Sequence, residues 1–438
     1  SPFPPCWRSG RITVADRPWL VGAVLLLVLS VVSARDAGRS LGQATAVGGA
    51  ARSAVSHASR IHRDAIVLDT HIDTTAKLGR RGWDFMARHR PGRGGDSSHV
   101  DHPRMRDGGL DAAFFSIYVP GTVTGSQAIA RARAQIEHVR QLAAAHPAEL
   151  TLALTAADVR AAHQAGTIAV LMGMEGGHMI GDSLAVLRNY QARGVRYLTL
   201  THSVNTSWGD AAGRRATHNG LTSFGKAVVG ELNRLGMMVD VSHVADKTFW
   251  DALAVSRSPL VASHSSVRAL SGHARNMSDE MIRALAAKGG VIQINFLDEY
   301  LDDEVYRAVA ARRAELSAFD AVLQQRHPGA ANASRRRQEL RAVQAALPSL
   351  PTASWQRIVD HIDHVVRLVG ARHVGLGSDF DGARMPEGME DCSHLPRITE
   401  ALIERGYSEQ DVRNILGENL LRVMESAEIV ARKLAKSV

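Results

Sequence analysis

Eight short apolar runs, separated by amphipathic segments, constrain the fold of this chain most strongly. Most of the runs are continuously apolar rather than alternating, which is typical of parallel strands buried on both faces. They lie at residues 66–73, 112–119, 168–174, 197–202, 237–243, 260–264, 291–296 and 373–380. Segments with helical spacing of apolar residues lie at 126–145, 184–192, 223–234, 246–254, 279–287, 355–369 and 409–431. The alternation predicts an α/β fold, a (β/α)8 barrel of the TIM type.

An open doubly wound sheet is the alternative arrangement of the same elements. Such a sheet gathers its ligands at one switch point, whereas residues of the metal-binding type follow nearly every predicted strand here, which favours the barrel. Residues 297–354 break the alternation with mixed charged and apolar residues and then Pro348 and Pro351. We interpret this segment as a helical insertion after the seventh strand, over or beside the mouth of the site.

The N-terminal segment has the pattern of a secretory signal. Arg8, Arg11 and Arg17 precede an apolar run at 19–32, and small residues up to Ala34 follow it. The run is short for a membrane-spanning helix, which needs about 20 residues. The chain is therefore expected to be exported, periplasmic or secreted, and a membrane tether would follow only if this segment is not cleaved.

The predicted domain organisation has three parts. Residues 1–34 are a signal peptide or N-terminal anchor, 35–60 a linker, and 61–436 a single barrel domain. The chain has two cysteines, and Cys6 lies in the predicted signal. The mature chain, with Cys392 alone, is therefore predicted to contain no internal disulfide.

The basic charge does not predict a nucleic-acid partner. The formal net charge is +8, but its densest runs, at 312–313 and 335–337, are short and separate, and aromatic residues make up only 5% of the chain. Platforms on which bases could stack are therefore scarce. We interpret the charge as a solvated basic surface.

Residues that bind transition metals end most of the predicted strands. His71 and Asp73 end the first strand and share one face of it; the third, fourth, fifth, sixth and eighth strands end in Glu175, His202, His243, His264 and Asp379. All strand C-termini of a barrel meet at one face, so these side chains would share a cleft. Imidazole and carboxylate groups suit Zn²⁺ or a similar ion. This many ligands predict two ions that share a bridging carboxylate and a bridging water.

Neighbouring polar residues have simpler interpretations. Asp69 and Asp240 lie inside strands and are interpreted as structural acceptors or as partners of the ligands. Asp381 is open between capping its loop and supporting the site. Tyr118 ends the second strand and is a candidate substrate contact, although an interfacial role is equally consistent with its position.

Several motifs of the chain resemble the membrane (renal-type) dipeptidase family, in the same order. They are LDTHID at 68–73, GMEGG at 173–177, LTLTHSVN at 198–205, VDVSH at 239–243, ASHS at 262–265, RN at 275–276 and GSDFDG at 377–382. The resemblance covers roughly residues 61–426. It implies a barrel with a binuclear zinc site, and therefore two Zn²⁺ per chain, that hydrolyses dipeptides. A homodimer is the family expectation.

The resemblance also implies roles for individual residues. His71 and Asp73 would bind the first zinc ion, Glu175 would bridge both ions, and His243 and His264 would bind the second.

The remaining roles concern substrate and catalysis. His202 would not be a ligand but would contact the substrate and stabilise the oxyanion, and Arg275 would hold the terminal carboxylate of the dipeptide. Asp379 would be the acid/base residue. The expected reaction is attack of a metal-bridging hydroxide on the peptide carbonyl, with Asp379 moving a proton from the water to the leaving amine.

One departure from the family concerns anchoring. Animal members carry disulfides and some carry a lipid anchor, whereas this chain has the pattern of a soluble bacterial-type member. The preferred dipeptide, acceptance of a D-residue and β-lactam cleavage are not fixed by the sequence.

Two other functions remain open. The first is another binuclear amidohydrolase-type enzyme, such as a lactonase, phosphotriesterase or deacetylase. Those enzymes commonly pair two histidines on the first strand and bridge with a modified lysine, whereas this chain offers His71, Asp73 and Glu175. The second is an exported metal-binding protein without turnover, against which the intact cluster and Asp379 argue.

Overall fold

The barrel predicted from the apolar runs is present and closed. The structure, a computed structural model, describes residues 57–89 and 97–437. Its strands are β1 (Leu68–Ile72), β2 (Ala112–Tyr118), β3 (Leu150–Leu152), β4 (Ile168–Glu175), β5 (Val195–Thr199), β6 (Met238–Asp240), β7 (Leu260–Ser265), β8 (Val291–Ile294) and β9 (Val374–Leu376). All pairings are parallel, and β2 with β4 and β9 with β1 close the ring. The α/β assignment is confirmed.

β3 is an accessory strand that the sequence did not predict. It pairs with residues 168–170 of β4, and β5 pairs with residues 172–175 of the same strand. Since β2 occupies the other side of β4, β3 lies at the start of β4 on the side of β5. Because β3 pairs only with β4, the barrel itself has eight strands and β3 extends its rim. Three residues are too few to give a strand pattern in the sequence, which is why β3 was not predicted.

Helices surround the barrel, and most agree with the predicted segments. They are α1 (57–64), α2 (Thr75–Leu78), α3 (His102–Asp107), α4 (Gly125–Ala145), α5 (Ala156–Ala165), α6 (Leu184–Ala192), α7 (Ser223–Leu235), α8 (Asp246–Val255), α9 (Asp279–Ala287), α10 (Asp298–Leu301), α11 (Asp303–Arg326), α12 (Ala333–Ala346), α13 (Gln356–Val369), α14 (Pro396–Glu404), α15 (Glu409–Arg413) and α16 (Asn419–Ala435). A π-helical turn, Asn414–Glu418, joins α15 to α16. The single helix expected over 409–431 is therefore two helices with a widened turn between them.

Alternate strand residues divide the core into two layers. Phe114, Leu171, Met238 and Val261 belong to a cluster that includes residues of α16, while their strand neighbours belong to a larger cluster that includes the surrounding helices. This alternation is what a strand with one face inside the barrel and one toward the helices produces. Packing on both faces therefore holds the strands, and with them the strand ends that carry the site, in fixed positions.

The insertion after the seventh barrel strand is helical, as predicted. It consists of α10, α11 and α12 between β8 and β9. α12 buries no residue, and α11 buries only Val305 and Leu323. The insertion therefore projects from the barrel, and only its first part contacts the core.

His361 of α13 links the base of the insertion to the barrel. Its Nδ1 accepts a hydrogen bond from the Val267 amide at 3.0 Å, and its Nε2 lies 2.9 Å from the Leu301 carbonyl. The ring is therefore neutral, with its proton on Nε2. Burial lowers the pKa of His361 to about 4.

We expect this imidazole to make the protein less stable in mild acid. The unfolded chain takes up a proton near pH 6.5 and the folded chain only near pH 4, so stability is complete above pH 6.5 and falls between these values. The free energy of unfolding, measured in urea, should fall between pH 7 and pH 5 by about 2 kcal/mol less in His361→Gln than in the natural chain. Equal losses in both proteins would contradict this assignment.

Some predictions lie outside the described residues. The signal or anchor segment at 1–34 and the linker up to residue 56 are among them, while residues 57–60, assigned to the linker, are helical. Among the described residues, no helix combines the length and apolarity needed to cross a membrane. Cys392 is buried and free.

Candidate active site

Three of the predicted site residues lie beyond the strand ends rather than at them. β5, β6 and β9 end at residues 199, 240 and 376, so His202, His243 and Asp379 lie in the following loops. His243 and Asp379 each have φ of 66°, a left-handed conformation that few non-glycine residues adopt. The predicted strand ends were wrong at all three positions, and at His243 and Asp379 an extended backbone could not have continued through the left-handed residue.

Glu175, the last residue of β4, lies at the centre of the predicted ligands. Its Oε2 is 3.6 Å from Nε2 of His71. Its Oε1 lies 3.1, 3.3 and 3.5 Å from the Nε2 atoms of His243, His264 and His202. The two carboxylate oxygens thus face different imidazoles, Oε2 that of His71 and Oε1 those of His243, His264 and His202, although His264 is also close to His71. A carboxylate that bridges two metal ions needs such a division between its oxygens.

Two further carboxyl groups, those of Asp73 and Asp379, lie near His71. The ligand atoms of His71, Asp73 and Asp379 lie within 4.8 Å of one another, and Nε2 of His71 is 3.8 Å from Oδ2 of Asp73. The structure therefore brings all seven predicted strand-end residues together. His202 is as close to Glu175 and His243 as a ligand would be, so geometry alone does not separate it from the ligand set.

Tyr197 fixes the tautomer of His71. Its hydroxyl donates to the carbonyl of Thr70 at 3.1 Å and lies 2.9 Å from Nδ1 of His71. A hydroxyl has one proton, so it accepts from Nδ1–H of His71, and Nε2 is the nitrogen that can offer a lone pair to a metal ion once its own proton is displaced. The tyrosine ring lies directly against Gly173, where a Cβ would overlap it.

Ser263 does the same for His264. Its hydroxyl donates to Oδ2 of Asp240 at 2.6 Å and lies 2.8 Å from Nδ1 of His264. Nδ1 therefore carries the proton, and Nε2 faces Glu175 as a lone pair. Burial, with the nearby charges of His71 and Arg275, lowers the pKa of His264 to about 3, so the ring is neutral, as a metal ligand must be.

These two contacts give a testable expectation for metal affinity. Tyr197→Phe and Ser263→Ala remove the acceptors that hold the two rings, and each should weaken zinc binding by about 10- to 100-fold. Tyr190→Phe is a matched control, because Tyr190 is also buried but donates to the Met179 carbonyl away from the cluster. Competition with a chromophoric chelator measures the affinities. Unchanged affinity in Tyr197→Phe would show that the hydroxyl does not support a ligand.

The environment of His71 favours a cation. Nε2 of His71 is buried and has no hydrogen-bond partner among the described residues. Burial alone would lower the pKa of His71, but Tyr197, Glu175 and Asp73 raise it well above its ordinary value. Burial would raise the pKa of Glu175, but the surrounding imidazoles hold it well below its ordinary value. An orphaned nitrogen beside ionised carboxylates fits a divalent metal ion.

Asp379 is the carboxyl group beside Asp73. Asn295 donates to its Oδ2 at 2.9 Å. Burial and then the charge of Asp73 raise the pKa of Asp379 to about 7. The loop passes close to both carboxylates because residue 382 is glycine, and a Cβ at Gly382 would overlap them. A carboxyl group held in this way can exchange a proton near neutral pH.

Asp381, two residues further on, is a buried anchor. Its carboxylate accepts hydrogen bonds from Thr74 Oγ1 and Lys77 Nζ, both at 2.7 Å, and from the His99 amide at 2.6 Å. Thr74 follows Asp73 in the chain, so Asp381 ties the loop after β1 to the loop that carries Asp379. Of the two interpretations of Asp381, these contacts favour support of the site.

Two adjoining cavities form the cleft above the cluster. The metal lobe, of about 570 Å³, is lined by Asp73, Glu175 and Asp379. The arginine lobe, of about 510 Å³, is lined by Arg275 and Arg214. Residues that line both lobes are His202, Ser203, His243, Glu299, Tyr300 and Arg313. The lobes are therefore continuous, and the insertion supplies Glu299, Tyr300 and Arg313 to their common wall.

Arg275 presents its guanidinium group to the arginine lobe. The side chain is buried, and it donates to the His264 carbonyl at 3.1 Å and to Ser265 Oγ at 3.4 Å. The guanidinium carbon lies 5.5 Å from the centre of the Tyr300 ring. These two contacts leave other N–H groups of the guanidinium without a partner among the described residues, so donors remain for an anion.

Tyr118 and His202 lie together in the metal lobe. Tyr118 is half-buried, and its ring centre is 4.7 Å from that of His202. Burial and nearby cationic groups lower the pKa of His202, although Glu175 opposes them, so its ring is neutral and can donate one hydrogen bond. Both residues are thus in position to contact a bound molecule.

Several site residues were not predicted from the sequence. Tyr197 and Asn295 could have been found, since Tyr197 lies on a predicted strand and Asn295 in the last part of one. No local pattern marks Glu299, Tyr300 and Arg313, because they reach the cleft only through the path of the insertion.

Comparison with known proteins decides the family. The profile of the family "Membrane dipeptidase (Peptidase family M19)" matches residues 55–438. The chain belongs to the membrane dipeptidase family. By this membership it is classed among the metallo-dipeptidases, and the family resemblance read from the motifs is confirmed.

Individual relatives agree with this family. Dipeptidase 3 of Rattus norvegicus is 33% identical over 336 residues, 75% of this chain, and the match spans only 59% of the rat protein. The crystal structure of the probable dipeptidase PvdM from Pseudomonas aeruginosa has a TM-score of 0.74 at 28% identity, covering 87% of this chain and 100% of that one.

A third relative carries a bound molecule. The structure of a metallo peptidase from Rhodobacter sphaeroides, liganded with a phosphinate mimic of the dipeptide L-Ala-D-Ala, has a TM-score of 0.67 at 28% identity. It covers 83% of this chain and 99% of that one.

Proposed function

We propose that this member of the membrane dipeptidase family hydrolyses dipeptides with two zinc ions held by the cluster around Glu175. The observation that carries the proposal is the division of the Glu175 carboxylate between His71 on one side and His243 and His264 on the other. The dipeptide mimic bound to the Rhodobacter sphaeroides relative supports the substrate class.

The metal ligands follow from this geometry. His71 and Asp73 would hold one ion, His243 and His264 the other, and Glu175 both. Bound zinc supplies a water of lowered pKa and polarises the scissile carbonyl. We keep His202 outside the ligand set, because the family resemblance gives it a substrate contact and it lines both lobes of the cleft.

The protein side chains orient the substrate and move the proton. His202 donates a hydrogen bond to the carbonyl oxygen as negative charge develops there. Asp379, held by Asn295 at 2.9 Å, accepts a proton from the attacking water and returns it to the leaving amine. Tyr118 lies against the His202 ring and faces the same lobe, where it contacts the bound dipeptide.

Arg275 explains why a dipeptide fits better than a longer chain. Its free donors in the arginine lobe form a fork for the α-carboxylate of the second residue. A longer peptide has an amide at that place, and it would leave the guanidinium group without an anion. The lobe thus selects a free C-terminus one residue beyond the cleaved bond.

A dipeptide panel on the purified, zinc-loaded chain tests the proposal. We expect turnover of dipeptides, little of tripeptides, and loss of activity with a chelator that zinc restores. Hydrolysis of lactones without dipeptides would favour the amidohydrolase-type alternative. No turnover at full zinc occupancy would instead support a metal-binding protein without catalysis.

We further propose that residues 1–34 direct export and that the enzyme is a homodimer. The first rests on the basic, apolar and small-residue pattern of the segment, and the second on the family resemblance. N-terminal sequencing of the protein from its producing cell and light scattering in solution test them. An N-terminus before residue 19 would support a retained anchor.

A further inference from the structure

The arginine lobe contains more positive charge than one α-carboxylate can match. Arg313 lies 2.7 Å from Glu299 and is neutralised by it. The Arg275 guanidinium group donates to a hydroxyl and a carbonyl and lies over the Tyr300 ring, and Arg214 donates from Nε to the Ser203 carbonyl at 2.6 Å. Within the described part of the chain, neither Arg275 nor Arg214 has a carboxylate in ion-pair contact. Two guanidinium groups therefore remain unmatched.

Arg214 is held beside Arg275 by its own loop. The amide of Ala212 donates to the His243 carbonyl at 2.8 Å, which fixes the loop to the metal-site segment. A Cβ placed on Gly213 would lie 3.7 Å from the Cβ of Ala274, so the chain next to Arg214 lies against the chain next to Arg275. Both side chains line the same cavity, so one small molecule can meet both.

His273, which also lines the arginine lobe, has a pKa that is shifted by burial and by this positive charge. Burial, followed by the charges of Arg275 and Arg313, lowers the pKa of His273 to about 4. His273 is therefore neutral at physiological pH and adds a hydrogen-bonding ring rather than a further cation. The residues that line the arginine lobe are therefore those of a binding site for two anionic groups.

We propose, on the basis of the dipeptidase function above, that the enzyme prefers dipeptides whose C-terminal residue is acidic. Arg275 would take the α-carboxylate and Arg214 the side-chain carboxylate of the same residue. A neutral residue would leave Arg214 without an anion, and a basic residue would be repelled by it. Arg214 is exposed, so solvent and salt weaken the contact, and the preference should be about 5- to 10-fold.

Matched substrate pairs test this preference. L-alanyl-glutamate and L-alanyl-glutamine differ by one charge at nearly equal size, and both the L- and D-forms of the second residue should be assayed. We expect kcat/KM to be about 5- to 10-fold higher for the glutamate dipeptide of the accepted hand, with the ratio falling as salt is added. Arg214→Gln should bring the ratio close to one, and Arg214→Lys should keep part of it.

Arg215→Gln is the control for a lost charge on the same loop, since Arg215 does not line the cavity, and its ratio should equal that of the natural chain. Thermal melting verifies that each variant folds. A natural ratio of one or less, or an unchanged ratio in a folded Arg214→Gln, would overturn the inference. If the glutamine dipeptide is hydrolysed as fast as the glutamate dipeptide, the preference for an acidic residue is wrong but the dipeptidase function stands. If no dipeptide is hydrolysed, the proposed dipeptidase function is itself wrong.

Discussion

Glu175→Gln is expected to reduce bound zinc from two ions per chain to at most one and to lower kcat/KM by more than about 100-fold. The natural carboxylate supplies one oxygen to the His71 side and one to the His243 and His264 side. Glutamine offers one oxygen and no charge, so it cannot serve both groups. Elemental analysis after dialysis against metal-free buffer, with dipeptide turnover on the same sample, measures both effects.

Glu137→Gln provides the matched control, because Glu137 lies on α4 and, among the described residues, its side chain accepts a hydrogen bond from Gln141 alone, one turn away. It should keep both zinc ions and full turnover. Two zinc ions in a folded Glu175→Gln, or one ion per chain in the natural protein, would refute the bridging role. Thermal melting of the metal-free proteins separates loss of metal from loss of fold.

The second large effect concerns Asp379. Asp379→Asn should keep zinc binding, because Asp379 is outside the proposed ligand set, but should lower kcat by at least about 100-fold. Asparagine is one of the few residues that tolerate positive φ, so the turn at 66° is retained. The amide still reaches Asn295 but cannot accept and return the proton of the water. The expected change is in kcat, with KM nearly unaltered.

Asp182→Asn is the control for the same substitution at the same kind of backbone, since Asp182 has φ of 54° and is exposed. Its turnover should equal that of the natural enzyme. Near-normal kcat in Asp379→Asn at full zinc occupancy would assign the proton transfer to another group. Loss of zinc in this variant would instead make Asp379 a ligand.

The sequence predicted the barrel because its strands are buried on both faces, and burial leaves an apolar pattern that can be read locally. That the candidate ligands come together could be predicted for a related reason, since each lies at or just after a strand end and all strands end at one face. β3 escaped prediction because three residues carry too little pattern. The left-handed turns at His243 and Asp379 escaped because nothing in an apolar run signals where its backbone changes direction.

The support of the site was harder to predict than its ligands. Tyr197 and Ser263 act through hydrogen bonds to Nδ1 atoms, and these contacts depend on which strand lies opposite which. Arg313 reaches the cleft through the path of α11, which begins directly after α10 at the wall of the cleft. Such residues are set by three-dimensional packing between distant segments, which local periodicity does not record.

The insertion has a consequence for how this enzyme can diversify. The cluster around Glu175 is built by barrel strands and the short loops that leave them, whereas the wall of the arginine lobe comes from the loop of Arg214 and from Glu299 and Arg313 of the insertion. α11 and α12 contribute little to the core. Substitutions in this part of the sequence can therefore change the shape and charge of the cleft wall without altering the residues of the cluster.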